Sequence, residues 1–265
     1  MFVRLSGDLP IFQKSLFRNL VAMIFSFVVL IRNKPELHFD KEACGILLLR
    51  SAFGTVGVLG NFYAVDHLLL SDATMLNKMS PFFAILLGTV ILKEKLKPFQ
   101  IGVVIVAFLG ALLVIKPSGI NMDVLPAIIG LIGGFSAGVA YTMVRLLGKR
   151  NVPGSFIVFF FSAFSCLTVA PLAFANFDPM TMTQLIYLLL AGTCAASAQF
   201  AITAAYCHAP AREISVFDYS QILFSALLGF IVFQQVPDAL SWIGYLVIGT
   251  AAVANFIYNS RHHAL

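Results

Sequence analysis

Long apolar stretches broken by short polar segments set the pattern of this chain. Apolar runs occupy residues 11–31, 43–65, 71–92, 99–115, 125–147, 154–174, 184–206, 213–233 and 239–258. A bilayer core of about 30 Å needs roughly 20 apolar residues at a 1.5 Å rise. The pattern therefore predicts nine helical spans. Membrane β-strands would alternate in polarity, whereas runs such as 156–161 are continuously apolar. The breaks hold most of the charges and prolines, and none is long enough for a soluble domain.

Composition agrees with the pattern. Hydrophobic residues make up 60% of the 265, charged residues 11%, and the mean hydropathy is +0.93. A soluble domain carries about 25% charged residues, so this chain lacks the polar surface a soluble fold requires. An all-α polytopic protein of the inner (plasma) membrane, with the lipid bilayer as a partner, is the expectation. The four cysteines, Cys44, Cys166, Cys194 and Cys207, form no CxxC pair and offer no zinc or haem signature. No metal or cofactor is expected. The net charge of +5 needs no nucleic acid, because basic cytoplasmic loops produce the same sign.

The chain also repeats itself. A shift of 141 residues aligns Val3-Arg4-Leu5 with Val144-Arg145-Leu146, His67 with His208, and Leu86-Leu87-Gly88 with Leu227-Leu228-Gly229. After one inserted residue near Pro237, Ile101-Gly102 meets Ile243-Gly244. An offset held across several helices indicates duplication. The boundaries are 1–120 for the first repeat and 121–265 for the second. The second opens with a full helix at 125–147, while Met1 aligns with Thr142. The first repeat as written thus lacks about 17 residues of its first helix, and the expected plan is two five-helix repeats with nine of ten helices present.

Five is odd, so consecutive copies should be inverted in the membrane. Charge supports this independently, since Lys and Arg collect in cytoplasmic loops. One side holds Arg32, Lys34 and Lys41, then Lys93, Lys95 and Lys97, then Lys149 and Arg150, then Arg212 and Arg261. The other holds Arg4 and Lys116. The C-terminus is expected inside, and a working first helix is expected upstream of Met1.

Several short segments resemble one family. Asp72-Ala73-Thr74, Pro81-Phe82-Phe83, Lys93-Glu94-Lys95, Gly102 and Gly110 in the first repeat are similar to the EamA branch of the drug/metabolite transporter superfamily. Phe17-Arg18 and Leu49-Arg50-Ser51 fit the same pattern. Ala209-Pro210-Ala211, Phe217-Asp218-Tyr219 and Gly229 resemble the subgroup that includes S-adenosylmethionine and riboflavin uptake transporters. Two departures stand out: the largely missing first helix, and Gln235 where the first repeat has Glu94. The resemblance implies a secondary transporter that moves a small organic metabolite by alternating access.

Ionisable groups inside a span cost roughly 2.5–3.5 kcal/mol at its centre, so they are candidates for function. Arg50 lies deep in its span and shares one helical face with Gly54, Gly57 and Asn61. Lys78 lies beside Asn77 and just before Pro81; its repeat equivalent is Tyr219, and that of Asn77 is Asp218. Related polar segments of this kind hold the substrate in inverted-repeat transporters. Counting rise from opposite membrane faces separates Lys78 from Asp218 by about 10 Å in depth. Gln199, Thr203 and Tyr206 share another face. The candidate substrate-binding residues are therefore Arg50, Asn61, Asn77, Lys78, Gln199, Asp218 and Tyr219. Lys14 and Arg18 are expected to be anchors near a helix start, and His67 and His208 polar helix ends.

Gly134-Phe135-Ser136-Ala137-Gly138 matches GxSxG, but a nucleophile elbow needs a preceding strand and acid and histidine partners. Here it falls within a span, where Gly130, Gly134 and Gly138 form a ridge for close packing. No catalytic constellation and no Walker A motif occur, so the chain is not expected to be an enzyme. The alternative to a transporter is a truncated, non-transporting remnant or membrane scaffold. Both a monomer and a homodimer are compatible with the sequence.

Overall fold

The computed structural model describes residues 2–35, 41–68, 70–94, 97–115, 124–233 and 238–263. Twelve helices order these residues: α1 (Phe2–Leu5), α2 (Ile11–Asn33), α3 (Lys41–His67), α4 (Leu70–Asn77), α5 (Ser80–Leu92), α6 (Pro98–Ile115), α7 (Val124–Lys149), α8 (Gly154–Ala175), α9 (Met182–His208), α10 (Ala211–Asp218), α11 (Ser220–Phe233) and α12 (Ala239–His263). Prolines mark several starts. Pro10, Pro153 and Pro210 are the N-caps of α2, α8 and α10, where the missing N–H costs nothing and the fixed φ suits entry into a helix. Lys34 and Lys93 close α2 and α5 with φ of 38° and 52°, each returning its N–H to a helix carbonyl.

Seven helical segments among the described residues are long and apolar enough to cross a membrane. Two of the nine expected spans differ from that description. The apolar stretch of α6 is shorter, running over Pro98–Leu113. The run expected at 213–233 is broken into α10 and α11 at Tyr219. The run expected at 71–92 is broken as well, between α4 and α5 at Lys78 and Met79.

The helices bury polar and small residues and turn large apolar ones outward. On α2 the buried positions are Gln13, Ser15, Asn19, Ala22 and Ser26, of which Ser15, Asn19, Ala22 and Ser26 follow i, i+4, i+7, i+11. Leu20, Ile24, Phe25, Phe27, Val28 and Ile31 on the same helix are exposed. Leu167 and Leu246 are 76% and 69% exposed. In water so much contiguous apolar surface would drive aggregation; in lipid it is the expected exterior.

Contacts divide the chain into two compact units, residues 1–62 with 139–208, and residues 63–138 with 209–265. These units do not coincide with the expected repeats, because each draws helices from both. In the first unit α2 packs along α8 and α9. Small residues permit the approach: a Cβ on Gly192 would meet Val21 at 2.8 Å. Asn19 donates to Ser165 Oγ at 2.9 Å, and Gln13 bonds the main chain of Asp178 through both ends of its amide. In the second unit α6 packs along α12, with Gly110 facing the Gly244 carbonyl and Ile248. Its core joins Val104, Ala107 and Ala111 to Val216, Tyr219 and Ile248.

Candidate functional site

Each unit buries one cation of interest, and the two are treated very differently. In the second unit Lys78 occupies the break between α4 and α5 and is 5% exposed. Pro81 has no N–H to return to the preceding turn, so the break has a local cause. The backbone there is held closely. A Cβ on Gly134 would lie 2.5 Å from the Leu76 carbonyl oxygen, and one on Gly138 would lie 2.6 Å from Phe83 Cβ and 3.0 Å from the Ser80 carbonyl. The GxSxG segment is thus a packing ridge, as the mid-span position predicted.

Lys78 Nζ donates to the main-chain carbonyl of Asp218 at 2.7 Å and to Gln221 Oε1 at 2.7 Å. In return, the Tyr219 hydroxyl donates to the Lys78 carbonyl at 3.3 Å. Lys78 and Tyr219 are 141 residues apart, so equivalent positions of the two expected repeats each bond the other's helix break. Charge-assisted hydrogen bonds contribute about 1.5–3 kcal/mol each, so two of them offset the roughly 2.5–3.5 kcal/mol of placing a lysine mid-span.

This contact corrects the expected 10 Å separation of Lys78 from Asp218. Counting rise along straight helices fails where both segments break, and a lysine stem is long enough to close the remainder. Asn77 and Asp218 are half-buried beside the junction, and Tyr219 is fully buried, with Phe108 edge-on at 6.4 Å. The side chains of Ser215 and Ser225, and Gln235, lie outside the described residues.

In the first unit Arg50 on α3 is 2% exposed. Its guanidinium carbon stands 3.9 Å from the centroid of the Phe161 ring on α8. A Cβ at Gly54, one turn on, would collide with Arg50 Nη1 and lie 2.9 Å from Phe161. The glycine therefore makes room for the guanidinium against the ring. Arg18 of α2 and Tyr141 of α7 are its electrostatic neighbours. Tyr141 stacks on the fully buried Tyr206 at 4.7 Å with an interplanar angle of 10°. Arg50 Nε, Ser51 Oγ, Thr55 Oγ1 and Ser162 Oγ are buried with no hydrogen-bond partner among the described residues. A desolvated cation–π contact returns about 2 kcal/mol, less than the roughly 2.5–3.5 kcal/mol cost of the position. Lys78 has partners for its ammonium, whereas Arg50 Nε has none among the described residues.

The remaining expected positions can be placed. Gly54 and Gly57 share the buried face of Arg50, and Asn61 further along is half-buried. Gln199 is half-buried and reaches Thr203 Oγ1 at 3.5 Å. Arg18 lies two turns into α2, half-buried, and bonds Asn19 Oδ1 at 3.4 Å. His67 Nδ1 faces the Tyr63 carbonyl at 2.9 Å and His208 Nδ1 the Ala204 carbonyl at 2.7 Å, both at helix ends. Phe161, Tyr141 and Ser162 carry no distinguishing signal in so aromatic a chain. The mid-span amide of Asn19 does, and could have been singled out. Among the described residues, no cluster of three or more His, Cys, Asp or Glu side chains could hold a metal.

Comparison with known proteins decides the family. Residues 1–116 match the model of the EamA-like transporter family. The pseudopaline exporter CntI of Pseudomonas aeruginosa is 30% identical over 250 residues, covering 94% of this chain and 87% of the relative. The chain belongs to the EamA-like transporter family. A riboflavin transporter of Brucella anthropi is 27% identical, over 87% of this chain and 83% of its own length. A solved crystal structure shares the fold with a TM-score of 0.78 at 15% identity, covering 96% of this chain and 91% of that one. As an EamA-like protein with seven apolar helices of spanning length, the chain is a multi-pass membrane protein, consistent with the inner membrane.

Proposed function

We propose that this EamA-like chain is a secondary transporter that moves a small organic metabolite across the cytoplasmic membrane by alternating access. The observation that carries the reading is the reciprocal bonding of two helix breaks 141 residues apart. Discontinuous helices at equivalent positions of inverted repeats are where such transporters place and gate their solute. The repeats are assigned to 1–120 and 121–265, with nine spans in the chain as written. In the first unit Arg50, Asn61 and Gln199 are assigned to contact the solute. In the second, taken by itself, Asn77 and Asp218 are polar positions beside the breaks that Lys78 and Tyr219 hold together.

The test is uptake and efflux by the full chain in proteoliposomes, against a broad panel of metabolites and drugs. Saturable movement above protein-free vesicles supports the reading. Failure to move any member of the panel overturns it in favour of a non-transporting membrane scaffold.

A further inference from the structure

Arg50 poses a problem that its own unit does not solve. Arginine remains charged in proteins, and this one is buried against an aromatic face with Nε unbonded among the described residues. Its electrostatic neighbours are a tyrosine and a second arginine. The carboxylates in this unit's sequence are Asp8, Glu36, Asp40, Glu42 and Asp178. Of those described, Asp8 precedes α2, Glu42 lies in the first turn of α3, and Asp178 lies between α8 and α9. Glu42 is paired with Arg150 at 2.8 Å. Among the described residues of this unit no carboxylate lies in mid-helix, and Arg18, half-buried on α2, is among the charges that act on Arg50.

The surroundings suit a planar anion. The guanidinium carbon lies 3.9 Å from the centre of the Phe161 ring, and Nε, on the in-plane N–H edge by which arginine recognises anions, has no partner among the described residues. Carboxylates match that edge with two parallel hydrogen bonds. Ser51, Thr55 and Ser162 add buried hydroxyls without partners among the described residues, on α3 and α8, the two helices that meet at the Arg50–Phe161 contact. Gly54 gives the guanidinium its place against the Phe161 ring.

We propose that the transported solute is an organic acid whose carboxylate pairs with Arg50, with Arg18 supplying a second positive charge. The inference rests on the transporter reading and names the substrate class for it. Binding of the acid brings a negative charge to the guanidinium, so solute and site are neutralised together. A neutral analogue of the same shape leaves the guanidinium uncompensated and is rejected.

The test uses the full chain in proteoliposomes and matched solutes whose neutral partner carries no carboxylate: pantothenate and panthenol, nicotinate and nicotinamide, lactate and lactamide, with inorganic phosphate and sulfate as separate arms. Uptake of at least one acid over its neutral partner, by about tenfold or more, is expected. Arg50→Gln is expected to collapse that preference, while Arg50→Lys keeps it with weaker apparent affinity because the charge survives without the planar fork. Equal uptake of acids and neutral partners overturns the carboxylate assignment and leaves the transporter reading intact. So does an acid preference unchanged in Arg50→Gln. Uptake of the inorganic anions alone shows an anion site that does not recognise organic acids, and also overturns it. Uptake of no solute overturns both readings. Should Arg50→Gln fail to fold, Arg50→Lys alone decides: an unchanged apparent affinity for the acid contradicts the assignment.

Discussion

The buried lysine of one unit and the buried arginine of the other face the same cost and meet it differently. Lys78 gives two N–H donors to a carbonyl and an amide of its own unit. Arg50 has an aromatic ring beneath it and Nε unbonded among the described residues. Depth in a span therefore does not identify a solute contact by itself. What separates a structural cation from a functional one is whether the protein has already used its donors.

Substitutions can break this comparison, beginning with the one of largest effect. Gly134→Leu forces a side chain into the Leu76 carbonyl, 2.5 Å from the Cβ position, and backbone cannot yield as a side chain would. A loss above about 4 kcal/mol, seen as failure to recover folded protein in detergent, is expected. Recovery of normally stable protein would show that the ridge does not hold the α4–α5 break. Arg50→Gln, tested by transport as above, is next. Lys78→Gln acts on stability: it leaves the Asp218 carbonyl without its ammonium donor, at a cost on the order of 1–3 kcal/mol in thermal unfolding. An unfolding temperature equal to that of the parent would mean the contact holds nothing. Phe161→Leu removes the ring beneath the guanidinium and should weaken apparent solute affinity by about 0.5–2 kcal/mol, read from the concentration dependence of uptake. Tyr219→Phe is the mildest, losing one hydrogen bond to the Lys78 carbonyl and about 0.5–1.5 kcal/mol. A larger loss than for Lys78→Gln would reverse the order of importance at the break.

Much of the helix layout is legible in the sequence, because bilayer thickness imposes a length on each apolar run. The polar face of Arg50, Gly54 and Gly57 is legible too, since helical spacing brings those residues together whatever surrounds them. The break at Lys78 is announced by Pro81. The break at Tyr219 has no proline and arises from packing against the first, so a straight span is the natural reading of 213–233. The meeting of Lys78 with the Asp218 carbonyl is a long-range contact that no local pattern encodes. Phe161 and Tyr141 are invisible for another reason: with 26 phenylalanines and 7 tyrosines, one aromatic under an arginine cannot be told from those that face lipid. The grouping of helices into units that draw on both expected repeats likewise rests on long-range packing, α2 with α8 and α6 with α12.

The contrast between the two cations is tested most directly by the rise in unfolding temperature that a transported acid confers on purified protein. A ligand at about 100 times its dissociation constant stabilises the state it binds by about 2.7 kcal/mol. Lys78→Gln should unfold earlier than the parent yet still be stabilised by the acid, and Arg50→Gln should fold and gain nothing. Stabilisation of Arg50→Gln by the acid, with none for Lys78→Gln, would contradict the account.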